Sequence, residues 1–154
     1  MTAEPAMTQP ELLQLIFDSH RRLLGRELAP SDFSPAQAAA WLQHDAPFCV
    51  LAHEASADPR FIFANDTALR CFEYQASELI GLPSRLSAEA PNREERQQLL
   101  DAVSKQGYAS GYRGLRIAKS GRRFWIKDVT VWNLLDAAGV CHGQAAVYAA
   151  WEDA

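Results

Sequence analysis

The residues best suited to chemistry are few in this chain and lie far apart. Its four histidines, His20, His44, His53 and His142, show no spacing of the kind that metal ligands share. The sequence contains no nucleophile elbow, no phosphate-cradling glycine loop and no paired-carboxylate motif. Cys71 adjoins the apolar stripe of a predicted helix, where a packed thiol is favoured over a redox sensor. The pattern therefore points away from the common metal-dependent and nucleophilic enzymes.

One carboxylate, that of Asp128, lies in a strand predicted at 122–134. Alternate residues of a strand share a face, so Asp128 shares one with Phe124, Ile126, Thr130 and Trp132. The opposite face carries Trp125, Lys127, Val129 and Val131. A carboxylate on a buried face must be paired or bound, because an isolated buried charge is costly. Where this face is the buried one, Asp128 is a candidate for a structural ion pair or, in an enzyme, for a general base.

Length and composition indicate one globular domain. The 154 residues are 48% hydrophobic and 22% charged, which argues against disorder. A net charge of −4 argues against nucleic acid as a partner. Three widely spaced cysteines suit a reducing compartment, so a cytoplasmic location is expected. The chain has no apolar run of membrane-spanning length, and its first residues lack the features of a signal peptide.

Start and stop signals predict three longer helices. The first runs from Thr8 to about Gly25, after a tail at 1–7, and Glu11 completes its capping box. The second starts at Ser34 and ends near His44, and the third runs from Asn92, as its cap, to Gly107. Strands are predicted at 47–53, from 61, and at 108–118, 122–134 and 140–151, with glycine turns between the last three.

The first predicted helix has a wide apolar stripe that must be covered. Leucine, isoleucine and phenylalanine side chains from Leu12 to Leu24 form it. We expect this helix to dock on the outer face of the sheet, over Trp125, Val129 and Val131. The alternative is the same face of a partner subunit, which would give a homodimer.

The central stretch from Phe61 to Ala88 resembles the middle of a PAS domain. A strand-like run is followed by Asn65 as a helix cap and then by residues of the pattern N-x-A-x-x-x-x-F-G-Y-x-x-x-E-L-I-G. Glu73 replaces the usual glycine of that pattern. The matching residues are Asn65, Ala68, Phe72, Tyr74, Glu78, Leu79, Ile80 and Gly81.

Motifs elsewhere narrow this resemblance to the MEKHLA domain family. They include GREL at 25–28, APF at 46–48, PSRLSAE at 83–89, GYxxGYRGLR at 107–116, SGRRF at 120–124, TVWNLLD at 130–136 and GQAA at 143–146, with His53, Arg93, Glu95 and Arg96 between them. Members of this PAS-related family are small stand-alone bacterial proteins and the C-terminal domain of plant class III homeodomain-zipper proteins. The chain has no homeodomain or zipper heptads, so DNA binding is not implied.

The resemblance implies an α+β fold. We expect a PAS-like five-stranded antiparallel sheet with helices on one face and an N-terminal flanking helix. The expected division is a disordered tail at 1–7, a helical segment at 8–45 and a PAS-like core at 46–151.

Similarity to flavin-binding PAS domains of the LOV type implies which residues face a ligand. Ser84 stands at the reactive cysteine of the LOV motif and Arg85 at its phosphate-contacting arginine. An inward Arg116 and Asp128 would either neutralise each other or anchor a ligand. The complete set of expected ligand-facing residues is Ser84, Arg85, Tyr112, Arg116, Phe124, Ile126, Asp128, Thr130, Trp132, Gln144 and Tyr148.

The same comparison limits the cofactors. Serine cannot form a flavin–thiol adduct, and the predicted helix 92–107 lacks the histidine that a haem-type PAS domain would use. We therefore expect no flavin–cysteine adduct, no haem and no metal site, and any other cofactor is unknown.

These observations favour a non-enzymatic sensory or regulatory module that binds a small molecule or a protein partner. Two alternatives remain open. One is a small cone-shaped isomerase or hydratase with Asp128 as general base. The other is a ligand-free dimerisation domain with a filled core.

Overall fold

The computed structural model describes residues 7–154, except for the side chains of residues 90–92. The helices are α1 (Gln9–Leu24), α2 (Pro35–His44), α3 (Asp66–Phe72), α4 (Ala76–Leu79) and α5 (Ala90–Gln106), and Ser84–Ser87 forms one 3-10 turn. The strands are β1 (Cys49–Glu54), β2 (Phe61–Ala64), β3 (Tyr108–Ile117), β4 (Arg123–Leu135), β5 (Cys141–Tyr148) and β6 (Ala150–Asp153). The disordered tail expected at 1–7 lies outside the described residues, apart from Met7.

The strands form one antiparallel sheet in the order β2-β1-β5-β4-β3. The last predicted strand is interrupted at Ala149, and its continuation, β6, pairs with the first half of β4. The α+β fold and its antiparallel PAS-like sheet are thus confirmed, with the fifth strand divided in two.

Two apolar clusters cover the two faces of the sheet. The inner cluster joins α3, α4 and α5 to sheet residues such as Leu51, Ile126 and Val129. The outer cluster joins α1 and α2 to Val50 and Trp132. Successive residues of β1 enter opposite clusters, as the two-residue period of a strand requires.

Helix α1 forms where its signals predict it and docks on the outer face. Thr8 and Glu11 make the reciprocal capping box, and Gly25 ends the helix in the left-handed conformation. Ile16 is fully buried against the sheet. The indole nitrogen of Trp132 donates a hydrogen bond to Ser19 Oγ at 3.0 Å.

The residues predicted to lie under α1 were wrong, although the face was right. Val129 and Val131 pack in the inner cluster, and Trp125 is partly buried beneath the guanidinium of Arg113. The outer cluster instead contains Trp132 and Leu134.

The first of two β-bulges between β3 and β4 causes this change of face. Gly114 pairs with Ile126 and Tyr112 with Val129, so β4 holds one extra residue there. Asp128, with φ of 50°, takes the left-handed conformation at this point. The second bulge, between Ala109 and Tyr112, restores the register. Beyond the first bulge, Val129 and Val131 lie on the inner face and Trp132 on the outer face, each opposite to the prediction.

Helix α3 is fixed by its cap residue. Asn65 is fully buried, and its side-chain oxygen accepts hydrogen bonds from the backbone nitrogens of Ala68 and Val50 at 3.1 and 3.0 Å. Its amide donates to the carbonyls of Phe48 and Leu42. One side chain therefore joins β1, the end of α2 and the start of α3.

Helix α5 begins before the predicted cap. The structure starts it at Ala90, after Glu89, so the prediction of Asn92 as cap was wrong. The Glu89 side chain makes no capping bond and forms an ion pair with Arg123 instead. Pro91, in the first turn, is favourable for this earlier start, because proline lacks the N–H that a helix leaves unpaired there.

Candidate functional site

A cavity of about 70 Å³ lies between α5 and the inner face of the sheet. Its walls are mostly apolar, with Phe72 of α3, Leu99 of α5 and Val129 of β4 among them. Seven side chains with polar groups also line it: His53, Ser87, Arg96, Tyr112, Arg116, Gln144 and Tyr148. Apolar walls with a few convergent polar groups are typical of ligand sites.

Arg96 enters this cavity from α5 and is 8% exposed. Its one hydrogen bond to the described residues runs from Nη2 to Ser84 Oγ at 2.7 Å. Within residues 7–154 no carboxylate forms an ion pair with it. Burial first, and then the positive charge of Arg116, lowers the pKa of Arg96 to about 10. It therefore remains a cation at neutral pH.

Arg116 brings a second guanidinium from β3 and is 7% exposed. It donates to the carbonyl oxygen of Leu115 at 2.9 Å and to the Tyr112 hydroxyl at 3.4 Å. Gly114 makes this approach possible, since a Cβ there would lie 2.5 Å from the Tyr112 hydroxyl and 2.8 Å from Arg116 Nη1. A larger residue would push the two side chains apart.

A chain of directed hydrogen bonds fixes the remaining polar groups. Gln144 Nε2 donates to the carbonyl oxygen of Leu100 at 3.0 Å, so its Oε1 must be the atom that faces His53 Nε2 at 3.2 Å. His53 therefore carries its proton on Nε2. Its Nδ1 accepts from Ser84 Oγ at 3.2 Å, and Ser84 in turn accepts from Arg96.

This network holds His53 neutral. Burial first, and then the charge of Arg96, lowers the pKa of His53 to about 4. At neutral pH the site thus contains two arginine cations and a neutral imidazole.

An open cleft of about 270 Å³ adjoins the cavity. The two share His53, Leu100 and Gln144. The β1–β2 loop and α5 form the other walls of the cleft. The cavity and the cleft therefore meet at these three residues.

The structure brings five of the predicted ligand-facing residues to the cavity wall: Tyr112, Arg116, Ile126, Gln144 and Tyr148. Ser84 is fully buried beside it, where it holds Arg96 and His53. Phe124 is buried on the inner side, against Phe72 with ring centroids 5.0 Å apart.

Four predicted residues lie elsewhere. Asp128 is exposed at the β4 bulge, so it neither forms a buried pair with Arg116 nor lines the cavity. Trp132 belongs to the outer cluster, and Thr130, beyond the same bulge, bonds Ser110. Arg85 is half exposed and forms an ion pair with Asp58.

Sequence reasoning missed Arg96 and His53 as parts of the site. In the sequence Arg96 stands out only as a family motif residue, and His53 only as a motif residue and as one of four scattered histidines. Its position in the helix could have identified Arg96. Arg96 lies three, four and seven positions before Leu99, Leu100 and Val103, so it shares their apolar face. A charged residue on that apolar face must be paired, bound or directed into a cavity.

A flavin does not fit the site in this structure. Cavities for ligands of that size measure about 300–1,000 Å³, whereas this one measures about 70 Å³. Ser84 stands at the reactive cysteine position of the LOV motif, and Arg85 faces Asp58 rather than the cavity. Within residues 7–154 no group of three His, Cys, Asp or Glu side chains is arranged to hold a metal ion.

The sheet order and the helical layer across its inner face define a PAS-like domain. Similar solved structures agree with this class. A PAS domain of a protein from Colwellia psychrerythraea aligns with a TM-score of 0.65 and 17% identity, covering 77% of this chain and 95% of that one. A light-oxygen-voltage domain studied with a flavin analogue aligns with a TM-score of 0.60 and 18% identity, covering 80% and 86%.

The chain belongs to the MEKHLA domain family, whose model matches residues 10–153. An RNA-binding light-oxygen-voltage receptor also aligns, with a TM-score of 0.64 and 18% identity, covering 96% of this chain and 36% of the receptor. A comparison with curated proteins found no match. Among the described residues, no helix is both long and apolar enough to cross a lipid bilayer.

Proposed function

We propose that this protein is a non-enzymatic sensory module that binds a small molecule in the cavity beneath α5. One observation carries the proposal: Arg96 is buried at an apolar cavity and has no carboxylate partner within the described residues. A buried cation without a counter-charge is costly unless something binds it. A ligand that supplies the missing contacts stabilises the folded state.

The signal would pass through the sheet to α1. Gln144 and Asn133 are hydrogen-bonded neighbours on the inner side, and the residues next to them, Ala145 and Trp132, pack against α1 on the outer side. A ligand that shifts α5 or Gln144 would change the surface on which α1 docks. The mechanism is a population shift between two arrangements of helix and sheet.

We also propose a cytosolic location and a protein partner that recognises α1. A homodimer through α1 and the outer sheet face is part of this proposal. Because α1 already covers Trp132 and Leu134 of its own chain, such a dimer would use the exposed side of α1 and the sheet around Trp125.

Native mass spectrometry of the purified protein tests the proposal directly, because it reports bound small molecules and subunit number together. We expect a mass increment that disappears on denaturation, and a higher melting temperature for the loaded protein. Arg96→Met should lose the increment, and Arg113→Met, at an exposed position of β3, should keep it. If no increment is found and no compound of a metabolite panel raises the melting temperature, a ligand-free dimerisation domain is the better description.

A further inference from the structure

We infer that the cavity binds a short-chain monocarboxylate, held between the guanidinium groups of Arg96 and Arg116. This inference rests on the proposed function and specifies its ligand class. Three observations lead to it: the charge of the cavity, its size, and the geometry of its donors.

The charge of the cavity selects an anion. Two arginines line it, and no Asp or Glu among residues 7–154 does. The remaining titratable groups there are His53, whose pKa is lowered to about 4, and two tyrosines, of which burial raises the pKa of Tyr148. None of these groups supplies a negative charge at neutral pH. A neutral ligand would leave both cations uncompensated.

The size of the cavity selects a small molecule. An apolar cavity of about 150 Å³ holds benzene, and this cavity has about 70 Å³. By the same ratio its volume encloses about three non-hydrogen atoms, which is the size of a carboxylate group. The cavity is half open, so the methyl or ethyl group of acetate or propionate can extend along its walls. The apolar walls, which include Phe72 and Leu99, suit a methyl or ethyl group.

The donors favour a carboxylate over phosphate or sulfate. Guanidinium groups match the planar pair of oxygens in a carboxylate. The Tyr112 hydroxyl is the additional donor nearest to Arg116, at 3.4 Å. The Nε2 proton of His53 is already donated to Gln144. A tetrahedral dianion would leave several oxygens facing apolar walls, which costs free energy.

The experiment compares acetate and propionate with acetamide and propionamide, which have nearly the same shape and no charge. Inorganic phosphate and sulfate form a third arm, and ionic strength is held constant with chloride. We expect a carboxylate at 100 times its Kd to raise the melting temperature by about 5 °C or more, and the amides to have no effect. In ¹H–¹⁵N spectra, the Nε–H signals of Arg96 and Arg116 should shift with the carboxylate alone.

Three variants make the test specific to the site. Arg96→Met and Arg116→Met should each weaken carboxylate binding at least tenfold. Arg113→Met is the control: Arg113 lies on the same strand as Arg116 but is exposed, so carboxylate binding should be unchanged. Circular dichroism shows whether each variant is folded. If a variant does not fold, the comparison of carboxylates with amides in the unaltered protein still decides the inference.

The outcomes separate this inference from the proposed function. Equal binding of amides and carboxylates, or binding of phosphate or sulfate without carboxylates, overturns the carboxylate class and leaves a ligand site. If Arg113→Met weakens carboxylate binding as much as Arg96→Met and Arg116→Met do, the inference is overturned as well, because the effect would then come from surface charge. If no probe of any arm binds and the purified protein carries no small molecule, the inference and the proposed function both fail. Carboxylate-selective binding that depends on Arg96 and Arg116 supports both.

Discussion

Three buried polar side chains at this site, His53, Arg96 and Gln144, are each held by a neighbour on a different element. His53 on β1 contacts Ser84 of the 3-10 turn and Gln144 on β5, and Gln144 contacts the backbone of α5. Each bond has one possible donor, because a carbonyl at one end sets the direction of the chain. The site is therefore ordered before any ligand binds, which lowers the entropy lost on binding.

This network predicts a dependence of stability on pH. In the unfolded chain His53 binds a proton below about pH 6.5, whereas in the folded protein its pKa is about 4. The unfolded state thus binds more protons between these values, and stability rises with pH across this window. We expect His53 to account for a loss on the order of 3 kcal/mol as the pH falls from 6.5 to 4.

Urea unfolding at several pH values measures this loss. The pKa of His20 is also lowered, chiefly by burial, so the comparison must be with His53→Gln, which retains His20. The slope of unfolding free energy against pH should be shallower in this variant. Equal slopes in the two proteins would show that His53 is protonated to the same extent when folded and unfolded.

Among the elements, the helix starts could be predicted from the sequence, whereas the course of β4 could not. Caps and turns are local signals, so the starts of α1 and α3 at Thr8 and Asn65 could be predicted. A bulge depends on pairing with a second strand, which a count of alternate residues does not include. Asp128 was the available sign, because aspartate is depleted in strands and tolerates the left-handed conformation. The same shift of parity displaced the predicted site residues Thr130 and Trp132.

The bulge predicts how two substitutions at position 128 will differ. Asp128→Asn keeps a residue that tolerates a φ of 50°, and the side chain is exposed, so stability should change by less than about 0.5 kcal/mol. Asp128→Val places a β-branched residue in the left-handed region and should cost about 1–2 kcal/mol. Chemical unfolding measures both. A valine variant as stable as the parent would mean that β4 continues without the bulge.

At the scale of the whole molecule, the sheet separates two apolar cores that differ in content. The inner core contains the cavity and its polar network, and the outer core is formed with α1 and α2. Residues adjacent in β4 and β5 belong to opposite sides, so the two cores share the same two strands. A stable outer core is therefore a condition for any communication from the cavity to α1.

The last prediction concerns that outer core. Ile16 is fully buried between α1 and the sheet, so Ile16→Ala should lower the free energy of unfolding by about 2–5 kcal/mol. Gln14→Ala, at an exposed position of the same helix, should change it by less than about 0.5 kcal/mol. Urea unfolding measures both losses.

Repeating the unfolding experiment over a hundredfold range of protein concentration shows whether α1 packs on the sheet of its own chain or on that of a partner subunit. If α1 packs on its own sheet, the loss in Ile16→Ala is independent of concentration, and the mass in solution is unchanged. A loss that grows on dilution, with a fall in mass, would place α1 on a partner subunit instead. If Ile16→Ala is as stable as Gln14→Ala, α1 is not docked, and the path from the cavity to α1 has no physical basis.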